Sequence, residues 1–262
     1  MTARLKPDTG AVDQYAQGFA ARWDELIDWD RRRAMERRFL IGVLAGALGR
    51  RLIDIACGTG FHAALFAGAG FQVDAADGSA EMIEAARANL DRSGLDVNVK
   101  QMDWAELGSM SVPRYDVAVC LGSSLPHAGP EERAALLSRT HDLLVPGGLL
   151  LADHRNFDHI VEHQAIPPGR SVYGTAVKVS LVAADREQTT FGYRYADGFH
   201  RTLTVCSLRF NEARAELSAA GFGRVDSFGD QRLVRAADDS GFYLHRAVRG
   251  AGERPSNGRR LP

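Results

Sequence analysis

Short apolar runs alternate along this chain with longer segments in which apolar residues recur every three or four positions, the pattern of β-strands interleaved with amphipathic helices. Leu52-Ile53-Asp54-Ile55-Ala56 is the first run; it stops at Gly58 and Gly60 and passes into a helix-forming stretch carrying Ala63, Ala64, Leu65 and Phe66. Further strands are read at Gln72 to Asp77, around Val97 to Gln101, at Tyr115 to Leu121, and at Leu149 to Leu151 after Pro146-Gly147-Gly148. Ser79 is the N-cap expected for a helix carrying Met82, and another helix runs from Glu131 to Leu144. Strand and helix in alternation imply an α/β fold with a mostly parallel sheet, whose ligands bind outside the carboxyl ends of the strands.

Two regions depart from that rhythm. Before the first strand, Tyr15, Phe19, Trp23, Leu26 and Ile27 recur at helical spacing, followed by Met35, Phe39, Leu40, Val43 and Leu44. This predicts a helical segment over 1–49 that packs on the domain and can fold over a ligand as a lid. From Val177 to Phe210 the residues alternate and are rich in Val, Thr and Tyr, with Asp197-Gly198 as a turn between two runs, so a small antiparallel insertion is expected at about 166–210. A helix over 211–220 ended by Gly221, a strand over 224–228 and a closing strand over 242–248 complete a single domain at 50–249. The first ten residues are predicted to be mobile, and the Gly-, Pro-, Arg- and Ser-rich tail, 250–262, to be disordered.

Composition narrows the partners. With 262 residues, 45% hydrophobic and 25% charged, the chain is an ordinary globular protein able to bury one sizeable core. Its formal net charge of -1, from 32 basic and 33 acidic residues, provides no field to capture nucleic acid or a membrane surface, so a small-molecule partner is expected. No apolar run reaches the roughly 20 residues of a membrane helix. The segment Met1 to Pro7 lacks a signal-peptide core, which predicts a cytoplasmic protein. Cys57, Cys120 and Cys206 lie far apart in apolar contexts, as reduced thiols do; no disulfide or metal site is expected, and Cys57 reads as a packing residue.

Glycines at 58 and 60 let the backbone turn with positive φ and leave no Cβ between a ligand and the main chain. Gly58-Thr59-Gly60-Phe61-His62-Ala63 also satisfies the dinucleotide pattern G-x-G-x-x-G/A, so the glycines alone leave two cofactor classes open. The surrounding residues resemble a class I S-adenosylmethionine-dependent methyltransferase. Asp54 stands before the glycine turn, Asp77 ends the second strand where a carboxylate can accept both ribose hydroxyls, Asp103-Trp104 follows the third strand, and Leu143 to Leu151 is similar to the family's Pro-Gly-Gly turn and fifth strand. That resemblance implies a Rossmann-like sheet, mostly parallel with an antiparallel last strand, and S-adenosylmethionine as cofactor, released as S-adenosylhomocysteine.

A narrower resemblance, to the glycine N-methyltransferase and glycine/sarcosine N-methyltransferase family, rests on Asp13 to Arg22, Trp23 to Asp30, Asp153-His154-Arg155-Asn156-Phe157-Asp158 and Ile166 to Tyr173. It implies N-methylation of a small carboxylated amine such as glycine or sarcosine. Arg155 would hold the acceptor carboxylate, a role that suits a planar guanidinium forming a bidentate pair, although an ion pair with Asp153 or Asp158 is the structural alternative. Tyr15, Tyr173, Ser123 and His127 complete the acceptor side. The donor set implied is Arg33 within Arg31-Arg32-Arg33, together with Ala56, Gly58, Asp77, Met82, Asp103, Trp104 and Leu121. Where the glycine enzymes read Leu-Gly-Asn-Ser-Phe-Ala-His, this chain reads Leu121-Gly122-Ser123-Ser124-Leu125-Pro126-His127, and the shorter Ser123 leaves room for a larger carboxylated acceptor methylated on N, C or O. A noncatalytic S-adenosylmethionine-binding protein is the alternative from another class. The family's tendency to associate allows a homo-oligomer.

Overall fold

The structure, a computed structural model, describes residues 13–16, 18–110, 114–167, 176–230, 236 and 240–250. The terminal segments predicted to be mobile or disordered lie outside these residues, apart from Gly250. In chain order the elements are α1 (Trp23–Ile27), α2 (Trp29–Val43), β1 (Arg51–Asp54), α3 (Phe61–Ala67), β2 (Gln72–Asp77), α4 (Ala80–Arg92), β3 (Asn98–Gln101), β4 (Tyr115–Cys120), α5 (Pro130–Leu143), β5 (Leu144–Arg155), α6 (Phe157–His163), β6 (Val177–Ala184), β7 (Gln188–Tyr195), β8 (His200–Cys206), α7 (Phe210–Ala219), β9 (Phe222–Gly229) and β10 (Phe242–Arg249).

Seven strands form one sheet in the order β3-β2-β1-β4-β5-β10-β9. β1 to β5 pair in parallel, and β10 runs antiparallel to both β5 and β9, as the resemblance implied. β4 is buried at every position because helices cover both faces of the sheet. Successive side chains therefore enter different cores. Val117, Val119, Leu149 and Leu151 pack with Phe39, Leu40 and Phe66, whereas Ala118, Cys120, Leu150 and Ala152 pack with Leu136, Leu137 and Leu217. Ser79 Oγ accepts from the Met82 amide at 3.3 Å, the expected N-cap.

Two expectations change. The alternating stretch 177–206 makes three antiparallel strands, β6-β7-β8, rather than two. The extra reversal comes at Asp185, whose side chain accepts from the Glu187 and Gln188 amides at 2.8 Å each, a side-chain-closed turn without glycine. The N-terminal run also does not form one helix: short 3-10 turns at Asp13–Tyr15 and Ala20–Arg22 precede the five-residue α1, and Asp28 at φ 48 separates α1 from α2. Burial of Phe19 and its packing with Trp23 and Tyr193 rings override helical propensity there. The segment is fastened at both ends. Gln14 donates to the Thr204 carbonyl at 3.2 Å and accepts from its amide at 2.8 Å; Asp24 accepts from Thr59 Oγ1 at 2.5 Å, Asn89 Nδ2 at 2.7 Å and Trp29 Nε1 at 2.9 Å.

Candidate active site

A cavity of about 350 Å³ opens at the carboxyl ends of β1, β2, β4 and β5, beneath the N-terminal segment. That volume lies at the lower end of the roughly 300–1,000 Å³ of small-molecule sites. Its floor is the turn after β1. Gly58 has φ +52, and a Cβ there would meet nothing within 4 Å; Gly60 has φ +92, and its Cβ would meet Ala86 Cα and Cβ at 3.4 Å. The two glycines thus serve different ends: Gly58 opens the backbone to a ligand, and Gly60 lets α3 begin against α4.

Buried carboxylates surround this turn. Asp77 accepts from the Gly58 amide and the Ser79 amide, both at 2.9 Å, and burial pushes its carboxyl above the usual range. Asp54 is wholly buried; one oxygen accepts from the Ala56 amide at 3.3 Å, and Oδ2 meets no hydrogen-bond partner among the described residues. Burial, with a smaller contribution from Asp77, raises its pKa to about 7. Asp54 lies behind the turn and does not itself line the cavity, so it acts on a ligand there only through its charge. Trp104 donates its indole N–H to the Ile55 carbonyl at 2.8 Å, which turns the ring onto the cavity, while Asp103 caps the following 3-10 turn by accepting from Ala105 at 2.8 Å. Ala56, Met82 and Leu121 line the same half.

At the far end of this half, Arg32 and not Arg33 lines the cavity. Arg33 is exposed, with Asp30 at 3.9 Å, and does not line the cavity; Arg32 is buried and does. The reason is helical phase: Arg32 shares the buried face of α2 with Glu36, Phe39, Leu40 and Val43, and the neighbouring position lies about 100° away. Arg32 Nε donates to Glu36 at 2.6 Å, and His62 Nε2 stands 3.1 Å from Glu36 and 3.2 Å from Arg32 Nη2. Burial opposes ionisation of Glu36, but Arg32 and His62 hold its carboxyl below the usual range.

The other half is assembled from distant segments. Tyr15 OH lies 3.0 Å from His127 Nε2. His127 Nδ1 is buried without a partner among the described residues, and burial lowers the imidazole pKa to about 4, so the ring is neutral at pH 7. Ser123 adopts φ 64; its amide donates to Asp153 at 2.7 Å and its hydroxyl accepts from the Arg155 amide at 3.4 Å. Arg155 is buried, with its guanidinium carbon 4.6 Å from the Phe191 ring centre and 5.0 Å from that of Phe242. Asp153 accepts from the Ser123 amide, and Asp158 accepts from the Phe210 amide at 2.8 Å. Tyr173 lies outside the described residues. Sequence reasoning missed Trp23, Ile27, Phe191, Tyr193, Leu203, Val205 and Phe242, which wall the cavity. Strand alternation marks Phe191, Tyr193, Leu203 and Val205 as inward-facing, but nothing local says what they face.

Comparison with known proteins places this geometry. Residues 52–148 match the methyltransferase domain family. The chain is 36% identical to the glycine/sarcosine N-methyltransferase of Halorhodospira halochloris, over 89% of this chain and 88% of that protein. The chain belongs to the glycine/sarcosine N-methyltransferase family. It is an S-adenosylmethionine-dependent methyltransferase, and the open turn at Gly58 and the Asp77 carboxylate on the cavity wall fit that donor. A second relative, the glycine/sarcosine N-methyltransferase of Aphanothece halophytica, is 33% identical over 89% of each chain. Among solved structures, a methyltransferase from Clostridium acetobutylicum superposes with TM-score 0.71 over 88% of this chain and 98% of that one, at 17% identity, and shares the fold. No helix among the described residues is long and apolar enough to cross a membrane.

Proposed function

We propose that this methyltransferase methylates the nitrogen of glycine or sarcosine, with Arg155 as the carboxylate anchor. The observation that carries the reading is Arg155 itself: a buried guanidinium at the end of β5, held between two aromatic rings on the cavity wall, in a chain that matches glycine/sarcosine N-methyltransferases along most of its length. S-adenosylmethionine supplies a methyl group on a positively charged sulfur. With the donor bound, the lone pair of the deprotonated acceptor nitrogen would take that methyl group, the C–S electron pair would stay on sulfur to leave S-adenosylhomocysteine, and the proton shed by the nitrogen would pass to solvent.

Positioning dominates such a displacement, so the protein's task is alignment and exclusion of water. Arg155 orients the carboxylate by a two-pronged, charge-assisted contact. The neutral His127 adds no charge beside a cationic donor, and with Tyr15 it borders the acceptor. Tyr173 is assigned to the same side on the resemblance alone. Gly58, Asp77, Met82, Asp103, Trp104, Ala56 and Leu121 are assigned to the donor, with Arg32 taking the role expected of Arg33 at its carboxylate. The cytoplasm and a homo-oligomer remain part of this reading.

Ser123 and the apolar wall of Phe191, Leu203 and Val205 favour a second reading, a bulkier carboxylated acceptor. One assay separates the two: purified protein with S-adenosylmethionine and glycine, sarcosine, dimethylglycine, larger amino acids and 2-keto acids, read by mass spectrometry. Methylated glycine or sarcosine that disappears with Arg155→Ala supports the first; product only from larger acids supports the second.

A further inference from the structure

β5 carries three polar residues in a row, and strand alternation sends them to two sides: Asp153 and Arg155 line the cavity, while His154 faces the opposite core and is completely buried. A second fully buried histidine, His245 on β10, lies beside it with the Nε2 atoms 2.9 Å apart. Nothing in the donor or acceptor sites uses either ring.

The hydrogen bonds around them allow one arrangement of protons. His154 Nδ1 is 2.8 Å from the Arg155 carbonyl, which can only accept, so Nδ1 carries the hydrogen. In a neutral ring Nε2 then accepts, and His245 Nε2 must donate to it. That leaves His245 Nδ1 as an acceptor, supplied by the Ser227 hydroxyl at 2.8 Å. Ser227 Oγ in turn accepts from Arg214 Nη1 at 2.6 Å. The chain is directional, from Arg214 on α7 through β9 and β10 to the backbone carbonyl at the end of β5. An added proton on His154 would set two N–H groups against each other, and one on His245 would force the Ser227 hydroxyl from donor to acceptor. Burial, with Arg133 near His154 and with His154 and Arg214 near His245, keeps both rings neutral, His154 with a pKa of about 4.

The register explains why that carbonyl needs such a partner. Asn156 N donates to Gly241 O at 3.0 Å, so Arg155 and Phe242, which pair across β5 and β10, occupy a non-hydrogen-bonded site of the ladder. The peptide groups of Arg155 therefore point away from β10. β4 does not reach them, since its last paired residue is Cys120, opposite Ala152. The amide is taken by Ser123 Oγ and the carbonyl by His154.

We infer that His245, acting through His154, is a positioning residue for Arg155: the relay Arg214–Ser227–His245–His154 fixes the backbone from which the guanidinium enters the cavity, and so sets acceptor affinity without touching acceptor or donor. The inference rests on Arg155 being the carboxylate anchor. It predicts a change confined to the acceptor side.

The test uses the full chain saturated with S-adenosylhomocysteine. Nitrogen-15 NMR of the imidazoles is expected to show His154 as the Nδ1–H tautomer and His245 as the Nε2–H tautomer; the reverse assignment overturns the relay. Acetate, an inert carboxylate, is titrated while the Arg155 Nε–H resonance is followed. His245→Phe removes the donor to His154 and is expected to weaken acetate about tenfold and to raise the acceptor KM similarly, with S-adenosylhomocysteine affinity unchanged. His245→Gln, which restores an N–H donor and a carbonyl acceptor, is expected to recover most of the loss. Ser227→Ala, a single-atom truncation at a half-buried site, is expected to weaken acetate two- to threefold and covers the case in which His245→Phe does not fold. An unchanged acetate response in the folded variants, or an equal loss of donor affinity, overturns the inference alone. A relay-dependent acetate response in a protein that does not methylate glycine or sarcosine overturns the proposed substrate and leaves the inference standing. No acetate response at Arg155 in the wild-type protein overturns both.

Discussion

The donor half and the acceptor half of the cavity are built on different plans. Gly58, Asp77, Asp103 and Leu121 each fall within four residues of the carboxyl end of β1, β2, β3 or β4, so regular sheet geometry brings them together once the strands pair in order. The acceptor half draws Tyr15 from the N-terminal segment, His127 from the loop after β4, Arg155 from β5, Phe191 from the separate three-stranded sheet and Phe242 from β10. Local repeats of one motif can specify the first arrangement. The second depends on several segments docking at the right depth, which leaves its shape free to vary while the donor half stays constant.

Substitutions should separate the halves. The largest effect is expected from Arg155→Ala, which should lower kcat/KM for the acceptor by about 10³ while donor affinity, measured by calorimetry, stays constant, because a buried charge-assisted pair is worth several kcal/mol. Arg32→Ala should act on the other side. It leaves Glu36 and His62 buried without their cationic partner, so a loss of about 3 kcal/mol in denaturant unfolding and a weakened donor are expected together.

The two glycines offer a sharper contrast within the donor half. Gly58→Ala projects its Cβ into open space above the turn and should weaken the donor at least tenfold with a modest drop in Tm. Gly60→Ala forces a side chain onto a backbone at φ +92, in contact with Ala86, and should lower Tm more than it changes donor affinity. If both variants shift the same quantity, the division of labour between the glycines is wrong.

pH provides the next comparison. The Asp54 pKa is raised to about 7, above its unfolded value, so its contribution to stability is complete below the ordinary carboxylate range and is lost as pH rises through about 7. A cationic donor prefers the ionised form, so donor affinity should rise over the same interval. Asp54→Asn should flatten both trends, raising the Tm of the free protein at pH 8 while weakening the donor. The smallest effect belongs to Arg33→Ala: an exposed side chain outside the cavity should leave Tm and donor affinity unchanged, and a clear loss would return the donor-carboxylate role to Arg33.

The legibility of the chain follows the same divide. The strand-turn-helix at 52–66, the Asp77 strand end and the Ser79 cap could be read because each signal lies within a few residues, where periodicity and side-chain chemistry act directly. The first N-terminal run, Tyr15 to Ile27, has helical spacing but forms short turns, because that spacing serves an aromatic cluster that docks on Tyr193 rather than a helix face; the second run does form α2. The third strand of the insertion was missed because Asp185, not glycine, closes the added turn.

By itself the sequence determined the α/β class, the donor turn and the identity of the carboxylates around it, since these depend on local propensity and on glycine's freedom at positive φ. Only the tertiary structure decided that Arg32 rather than Arg33 enters the cavity, that Phe191 and Phe242 flank Arg155, and that His154 and His245 share one proton order behind it. Those outcomes depend on helix phase and on strand register between segments far apart in the chain. They are set when the packed elements meet, which no local window of residues records.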